Sequence, residues 1–304
     1  MGIIIGIVAI ILLVVIGLYM LRNPEKHELN DRMRQQIGGT YIHLTNGVTH
    51  YKIEGTDTGR RVVLVHGGTI PLWMWDDQAK ALCEAGFRVL RYDMYGRGYS
   101  DRPHIIYNQA CYKRQLVELV DRLNWQDPFD VVGYSLGGAT VTDFTATHPE
   151  RVRKLILISP VMKNFPIPRM FRPLGAGEFL ARLIGIQFMS KRMGRWFTHH
   201  PRREQMTALF AQQATYKGFQ RSLLSMIRHD AFDDYTPVYQ TVGQQARESL
   251  LIWGTEDTEN LLPVIEDIRV CIPSISVIFV EGVGHGIVYQ APEKVTAAIL
   301  NFLS

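Results

Sequence analysis

Six short runs of almost unbroken apolar residues constrain this chain more than any other feature: RVVLVH (61–66), FRVLRYD (87–93), FDVVG (129–133), KLILIS (154–159), SLLIWG (249–254) and SVIFVE (276–281). A strand covered on one face alternates apolar and polar residues, whereas a run that is apolar throughout has to be covered on both. Helical patterns near 76–85, 108–124, 136–147 and 292–303 alternate with these runs. That rhythm specifies an α/β chain with a mostly parallel sheet and helices on its faces. Two earlier segments, TYIHLT and VTHYKI, flank Asn46-Gly47, a tight-turn dipeptide, and predict an antiparallel hairpin at the sheet's edge.

Between LILISP and LLIWG lie about 90 residues without a strand pattern. Stretches such as GEFLARLIGIQFMSKRMGRWF are helical in period, and Pro160, Pro166, Pro168 and Pro173 punctuate the approach to them. The expected organisation is one α/β domain over 40–304, with a helical cap inserted over the sheet at about 161–237.

The start of the chain follows different rules. Gly2 to Leu21 carries no charge, and at about 1.5 Å per helical residue it spans roughly 30 Å, the thickness of one hydrocarbon core. A cleaved signal peptide would show a basic n-region and a small-residue cleavage site, and GLYMLRNPEK offers neither. Residues 1–21 are therefore expected to be a transmembrane anchor and 22–39 a juxtamembrane linker. Arg22, Lys26, Arg32 and Arg34 follow the span, and only the α-amine precedes it. Positive-inside counting places the body of such a single-pass protein in the cytoplasm. Arg169, Arg172, Arg182, Lys191, Arg192 and Arg195 lie among Phe171, Phe179, Phe188 and Trp196 in the cap. Basic amphipathic helices of that kind suit a lipid membrane as partner.

Composition removes other classes. Among 304 residues, 46% are hydrophobic and 20% charged, so the chain can bury a large core. The net charge of +4 is spread thinly, without a basic run interleaved with aromatics, and no nucleic acid is implied. Cys83, Cys111 and Cys271 form no Cys-x-x-Cys, His199-His200 has no carboxylate at ligand spacing, and there is no H-E-x-x-H, Walker loop or G-x-G-x-x-G. Neither metal nor cofactor is expected.

Chemistry concentrates in VVGYSLGG. A nucleophilic serine has to be lifted clear of a sheet on a sharp strand-to-helix turn, where side chains two residues before and after would collide. Gly133 and Gly137 stand at those places around Ser135, and the helix after it favours developing negative charge. The serine needs a base, and the base needs a carboxylate to orient it. His285, in VEGVGHG after the last strand run, is the candidate base. Asp257, in LLIWGTED, is the candidate acid, with Glu256 the competing carboxylate. For the oxyanion, the N–H groups of Gly68 and Leu136 are the expected donors, with Thr69 an alternative to Gly68. His66 is read as a hydrogen-bonder that shapes this turn.

In order, HGG, YDMYGRGYSDRP, GYSLGG, WGTED and GVGHG resemble the α/β-hydrolase superfamily over residues 40–304. The resemblance implies that fold with a cap, and a structural role for Asp93, Gly96, Gly98 and Ser100. It also narrows the chemistry. Epoxide hydrolases and haloalkane dehalogenases of the superfamily use an aspartate where this chain has Ser135. Carbon–carbon bond hydrolases of ring-fission products usually have Asn before the serine and Trp after the histidine, where this chain has Tyr134 and Gly286. The expected activity is a serine esterase of lipase type, working through an acyl-enzyme on a small-molecule ester drawn from lipid, such as a monoacylglycerol. Carbon–carbon hydrolysis, or a non-catalytic receptor or scaffold on the same fold, are the rival readings.

Overall fold

Each apolar run becomes a strand of one eight-stranded sheet in the computed structural model, which describes every residue except 164, 166–168, 230, 261 and 262. Pro166 and Pro168 therefore lie outside the described residues. The strands are β1 (Thr40–Leu44), β2 (Gly47–Gly55), β3 (Arg61–Val65), β4 (Arg88–Tyr92), β5 (Phe129–Tyr134), β6 (Val152–Ile158), β7 (Glu248–Gly254) and β8 (Ser276–Val280). Their spatial order is β1-β2-β4-β3-β5-β6-β7-β8. β1 and β2 pair antiparallel, as do β2 and β4, and every other neighbour pair is parallel.

Burial follows the apolar runs. Val62 to Val65, Val131, Val132 and Leu155 to Ile158 are wholly excluded from solvent, and each such side chain contributes roughly 1.5–3 kcal/mol by leaving water. One face of the sheet is covered by helices Gln109–Arg122, Leu136–Thr147, Thr236–Gly243 and Pro263–Cys271, the other by Asp76–Glu84 and Pro292–Leu303. The first of these begins where it does because the Asn108 side chain accepts the N–H of Cys111 at 3.0 Å, capping an otherwise orphaned donor. β8 departs from the two-face rule: it is the edge strand, and Ile278 and Phe279 stay exposed.

Three local expectations need correction. The hairpin closes through Thr45-Asn46, because Gly47 already pairs with Leu44 as the first residue of β2. Helix Pro263–Cys271, with Val264, Ile265, Ile268 and Cys271 on its buried side, was not anticipated from the sequence. The 22–39 segment is more than a link. It contains helix Asp31–Ile37, capped by Asn30, and Arg34 pairs with Asp101 of the body.

Between β6 and β7 the chain forms a helical layer: Ala176–Leu180, a π-turn at Ala181–Gly185, Ile186–Trp196, Arg203–Gln213 and Phe219–Arg228. Ion pairs hold this cap to the body, with Arg202 on Asp76 and Asp77, and Arg192 on Glu259. Gly2–Leu21 is a single helix of mean hydropathy 3.2, and none of its described residues is buried. Its length and composition suffice to cross a membrane, a property that signal sequences share.

Candidate active site

Ser135 sits at the end of β5 with φ +52°, a left-handed conformation rare outside glycine. Such strain persists only where the surroundings impose it. Here Ser135 N–H donates to Ile158 and its carbonyl accepts from Val161, which stitches the turn to the end of β6 and the residues after it. The flanking glycines are required by contact. A methyl group at Gly133 would lie 2.5 Å from the Gly137 carbonyl, and one at Gly137 would lie 2.3 Å from the Val65 carbonyl of β3. Close packing of the following helix on the sheet thus depends on both.

Parallel strands end on the same side of the sheet, so the loops after β3, β5, β7 and β8 converge there. Ser135 Oγ–H donates to His285 Nε2 at 3.0 Å, and His285 Nδ1–H donates to Asp257 Oδ2 at 2.8 Å. The carboxylate selects the imidazole tautomer that leaves Nε2 free to accept. All three residues are buried. Burial alone would raise the pKa of Asp257. The facing His285 and the N–H groups of Asn260 and Glu259 outweigh it and hold the carboxyl below its ordinary value. Glu256, the competing carboxylate, is exposed and takes no part.

The turn after β3 brings Gly68 beside Leu136, with 3.4 Å between a methyl group placed on Gly68 and a Leu136 methyl. Among the described residues, the N–H groups of Gly68, Thr69 and Leu136 have no hydrogen-bond acceptor. Their orientation is imposed from behind. His66 Nδ1–H donates to the Gly67 carbonyl at 2.6 Å, and His66 Nε2 accepts the Met94 N–H at 2.8 Å. Because C=O and N–H oppose each other across a trans peptide, this turns the Gly68 N–H away from His66. Total burial pushes the His66 pKa down to about 4, so the ring stays neutral and fills both roles.

Several contributors were not singled out from the sequence. Arg97, fully buried, donates from Nε to the Gly68 carbonyl and from Nη1 to Gly96 O and Ser222 Oγ at 2.8 and 2.7 Å. Tyr134 Oη donates to the His285 carbonyl at 2.7 Å and so holds the His285 loop. Asn260 Nδ2 donates to the carbonyls of Ser159 and Pro160, which ties the Asp257 loop to the end of β6. Asp93, expected to be structural, accepts from His50 Nδ1 and from the N–H of Leu72 and Tyr99. Of these, only Asp93 was assigned a role from the sequence, through the resemblance, and Arg97 lies within the same YDMYGRGYSDRP segment.

A cavity lies over Ser135 under the cap, walled mainly by apolar side chains including Phe165, Phe171, Phe188, Met189, Trp196 and Leu223. Trp196 packs 5.6 Å from the His285 ring and occupies the space that any side chain at Gly286 would need. Arg192 also lines the cavity. Its Nε donates to Glu259 at 2.8 Å, and the Glu259 carboxylate lies 3.8 Å from His285 Nε2. No group of three or more His, Cys, Asp or Glu side chains is placed to hold a metal among the described residues.

Comparison with known proteins agrees with this architecture. Residues 60–292 match the family model of the alpha/beta hydrolase fold. The chain is similar to the AB hydrolase superfamily protein YfhM of Bacillus subtilis, 26% identical over 85% of this chain and 96% of that one. It is also similar to a 2-hydroxymuconate semialdehyde hydrolase of Pseudomonas putida, 29% identical over 71% of this chain and 77% of the other. Among solved structures, the enol-lactonase from Burkholderia xenovorans superposes with a TM-score of 0.75 at 23% identity, covering 87% of this chain and 99% of that one, which speaks to the fold. The match runs from β3 to the start of the last helix and takes in both the strained serine turn and the loops that meet it. The chain belongs to the α/β-hydrolase family.

Proposed function

We propose that this hydrolase cleaves carboxylic esters through an acyl-enzyme, with Ser135 as nucleophile, His285 as base and Asp257 as the carboxylate that orients it. The chief support is the unbroken relay of hydrogen bonds, 2.8 and 3.0 Å long, that ends at a strained, buried serine beside unpaired N–H groups. Ser135 Oγ attacks the ester carbonyl while His285 Nε2 takes its proton. The oxyanion faces the N–H groups of Gly68 and Leu136, an interaction typically worth about 3–4 kcal/mol per donor. His285 returns the proton to the departing alcohol, and water then releases the acid by the same route.

The cavity supports one class of substrate. It encloses about 130 Å³, roughly ten times the ~10–15 Å³ a single water needs. An acyl group of about ten non-hydrogen atoms therefore fits with the cap closed. Apolar walls favour an acyl chain, and esters derived from lipid, such as monoacylglycerols, are the class proposed.

Carbon–carbon bond hydrolysis has support of its own in the similarity to the semialdehyde hydrolase and in the indole of Trp196 beside His285. Such ring-fission substrates carry a carboxylate. Arg192, the one arginine or lysine among the described lining residues, is already paired with Glu259. That pairing favours a neutral acyl ester.

A fluorophosphonate probe separates either enzyme from a non-catalytic scaffold, and it is expected to label Ser135. The purified full chain is then offered p-nitrophenyl esters of graded length, monoacylglycerols and a ring-fission dienoate. Turnover of esters with a preference for medium chains is the expected result. Cleavage of the dienoate alone overturns the ester reading.

A further inference from the structure

We infer that the outer face of the cap is a bilayer-docking surface, so that substrate reaches the cavity from the lipid side. The docking stands on geometry alone, and the substrate it serves rests on the ester reading above.

The chain after the apolar helix is bound to the cap. The Glu25 carboxylate accepts the N–H groups of Gly218 and Gln220 at 3.0 and 2.6 Å. The N–H groups of Lys26 and His27 donate to the Thr215 carbonyl, and Lys217 N–H donates to the His27 carbonyl at 2.8 Å. Glu25 is thus immobilised on the 215–220 loop, and four residues of chain reach at most about 14 Å. Wherever a bilayer surrounds Gly2–Leu21, its surface lies within that distance of the cap.

The junction itself is built for such a boundary. Tyr19 stacks on Phe179 at 5.5 Å, the Arg182 guanidinium lies 4.2 Å over the Tyr19 ring, and Arg22 donates to the Leu183 carbonyl. Tyrosine and arginine are the side chains that straddle apolar and wet environments. On the same cap segments Leu174 is 82% exposed, Phe188 52% and Ile184 40%, a group of apolar side chains that water alone does not explain. Phe188 also lines the cavity, so patch and cavity share a wall. Arg172, Lys191 and Arg195, exposed around it, suit anionic head groups. A phospholipid bilayer is the occupant because the patch adjoins the Tyr19 end of a 20-residue apolar helix, none of whose described residues is buried.

The test uses the full chain in vesicles of phosphatidylcholine and phosphatidylglycerol, with Cys83→Ser throughout. An environment-sensitive dye is placed on Leu174→Cys, on Ile184→Cys or, as a distant control, on Asp127→Cys. Dyes at 174 and 184 are expected to be quenched by nitroxide lipids and shielded from iodide, with the reverse at 127. Iodide access at 174 and 184 equal to that at 127 overturns the proposal. So does shielding without nitroxide quenching, which marks coverage by a second copy. Leu174→Asp with Ile184→Asp, which line neither cavity nor triad, should slow hydrolysis of a long-chain ester dissolved in the vesicles roughly tenfold. Hydrolysis of water-soluble p-nitrophenyl acetate should not change. If neither ester is hydrolysed by the unaltered chain, the ester reading fails while the quenching still decides the docking.

Discussion

Arg97 Nε donates to the carbonyl oxygen of Gly68, although the two residues lie on turns after different strands and Arg97 has no carboxylate partner among the described residues. Burial presses the pKa of this guanidinium below its ordinary value, which measures the cost of keeping it there. What it obtains in return is four acceptors: Gly68 O, Gly96 O, Ser222 Oγ and, at 3.4 Å, Met226 Sδ. The turn that presents Gly68 N–H is therefore gripped on one side by His66 and on the other by Arg97.

Arg97→Met should leave a folded protein whose kcat falls about tenfold or more with KM little changed, because donors made only for the transition state lose their aim. Arg97→Lys should recover part of the loss. Steady-state kinetics beside far-ultraviolet circular dichroism check this, and an unchanged kcat in Arg97→Met would show that the turn holds its shape unaided.

Substitutions in the relay should be more severe. Ser135→Ala and His285→Ala are each expected to lower turnover roughly 10³-fold or more, and Asp257→Asn less but still substantially. Near-normal ester hydrolysis by Ser135→Ala would remove the serine mechanism altogether.

Acid should weaken the fold through His66 before it reaches the carboxylates. The folded pKa is about 4, against about 6.5 for an unfolded histidine. The unfolded chain therefore binds more protons between those values, so stability is complete above about 6.5 and declines as the pH falls towards 4. The histidine accounts for roughly 3 kcal/mol across that window. Urea unfolding in detergent at stepped pH measures the decline, and His66→Gln, which does not titrate, should show a shallower one. Equal slopes for both proteins would assign the pH dependence elsewhere.

Orientation is open to a simple assay. With Arg22, Lys26, Arg32 and Arg34 following the apolar helix, a tag at the C-terminus should resist protease in intact cells and become sensitive after lysis. Digestion in intact cells would put the catalytic domain on the other side of the membrane, and a tag recovered on a soluble chain lacking residues 1–21 would identify a signal sequence.

Much of this protein follows from forces that act within a few residues. Continuous apolar runs had to be strands covered on both faces, and β3 to β7 are. A serine between Gly133 and Gly137 at the end of such a run had to stand on a strained turn, because a Cβ at either glycine would overlap backbone. That Ser135, Asp257 and His285 meet could be read for the same reason, since parallel strands deliver their loops to one edge. Contacts between distant segments were decided only by the tertiary structure. Arg97 meets Gly68, Tyr134 meets the His285 carbonyl and Asn260 meets Ser159 across separations that no local pattern encodes. Helix Pro263–Cys271 and the one-residue shift of the hairpin turn fall in the same class. The first needs the sheet face it covers, and the second needs the β1–β2 register that pairs Gly47 with Leu44. The 22–39 segment is polar in sequence, yet it is ordered by hydrogen bonds to the 215–220 loop of the cap. Local sterics and burial sufficed for the sheet and the serine turn, whereas the polar contacts that aim the site exist only once separate loops are brought within 3 Å of each other.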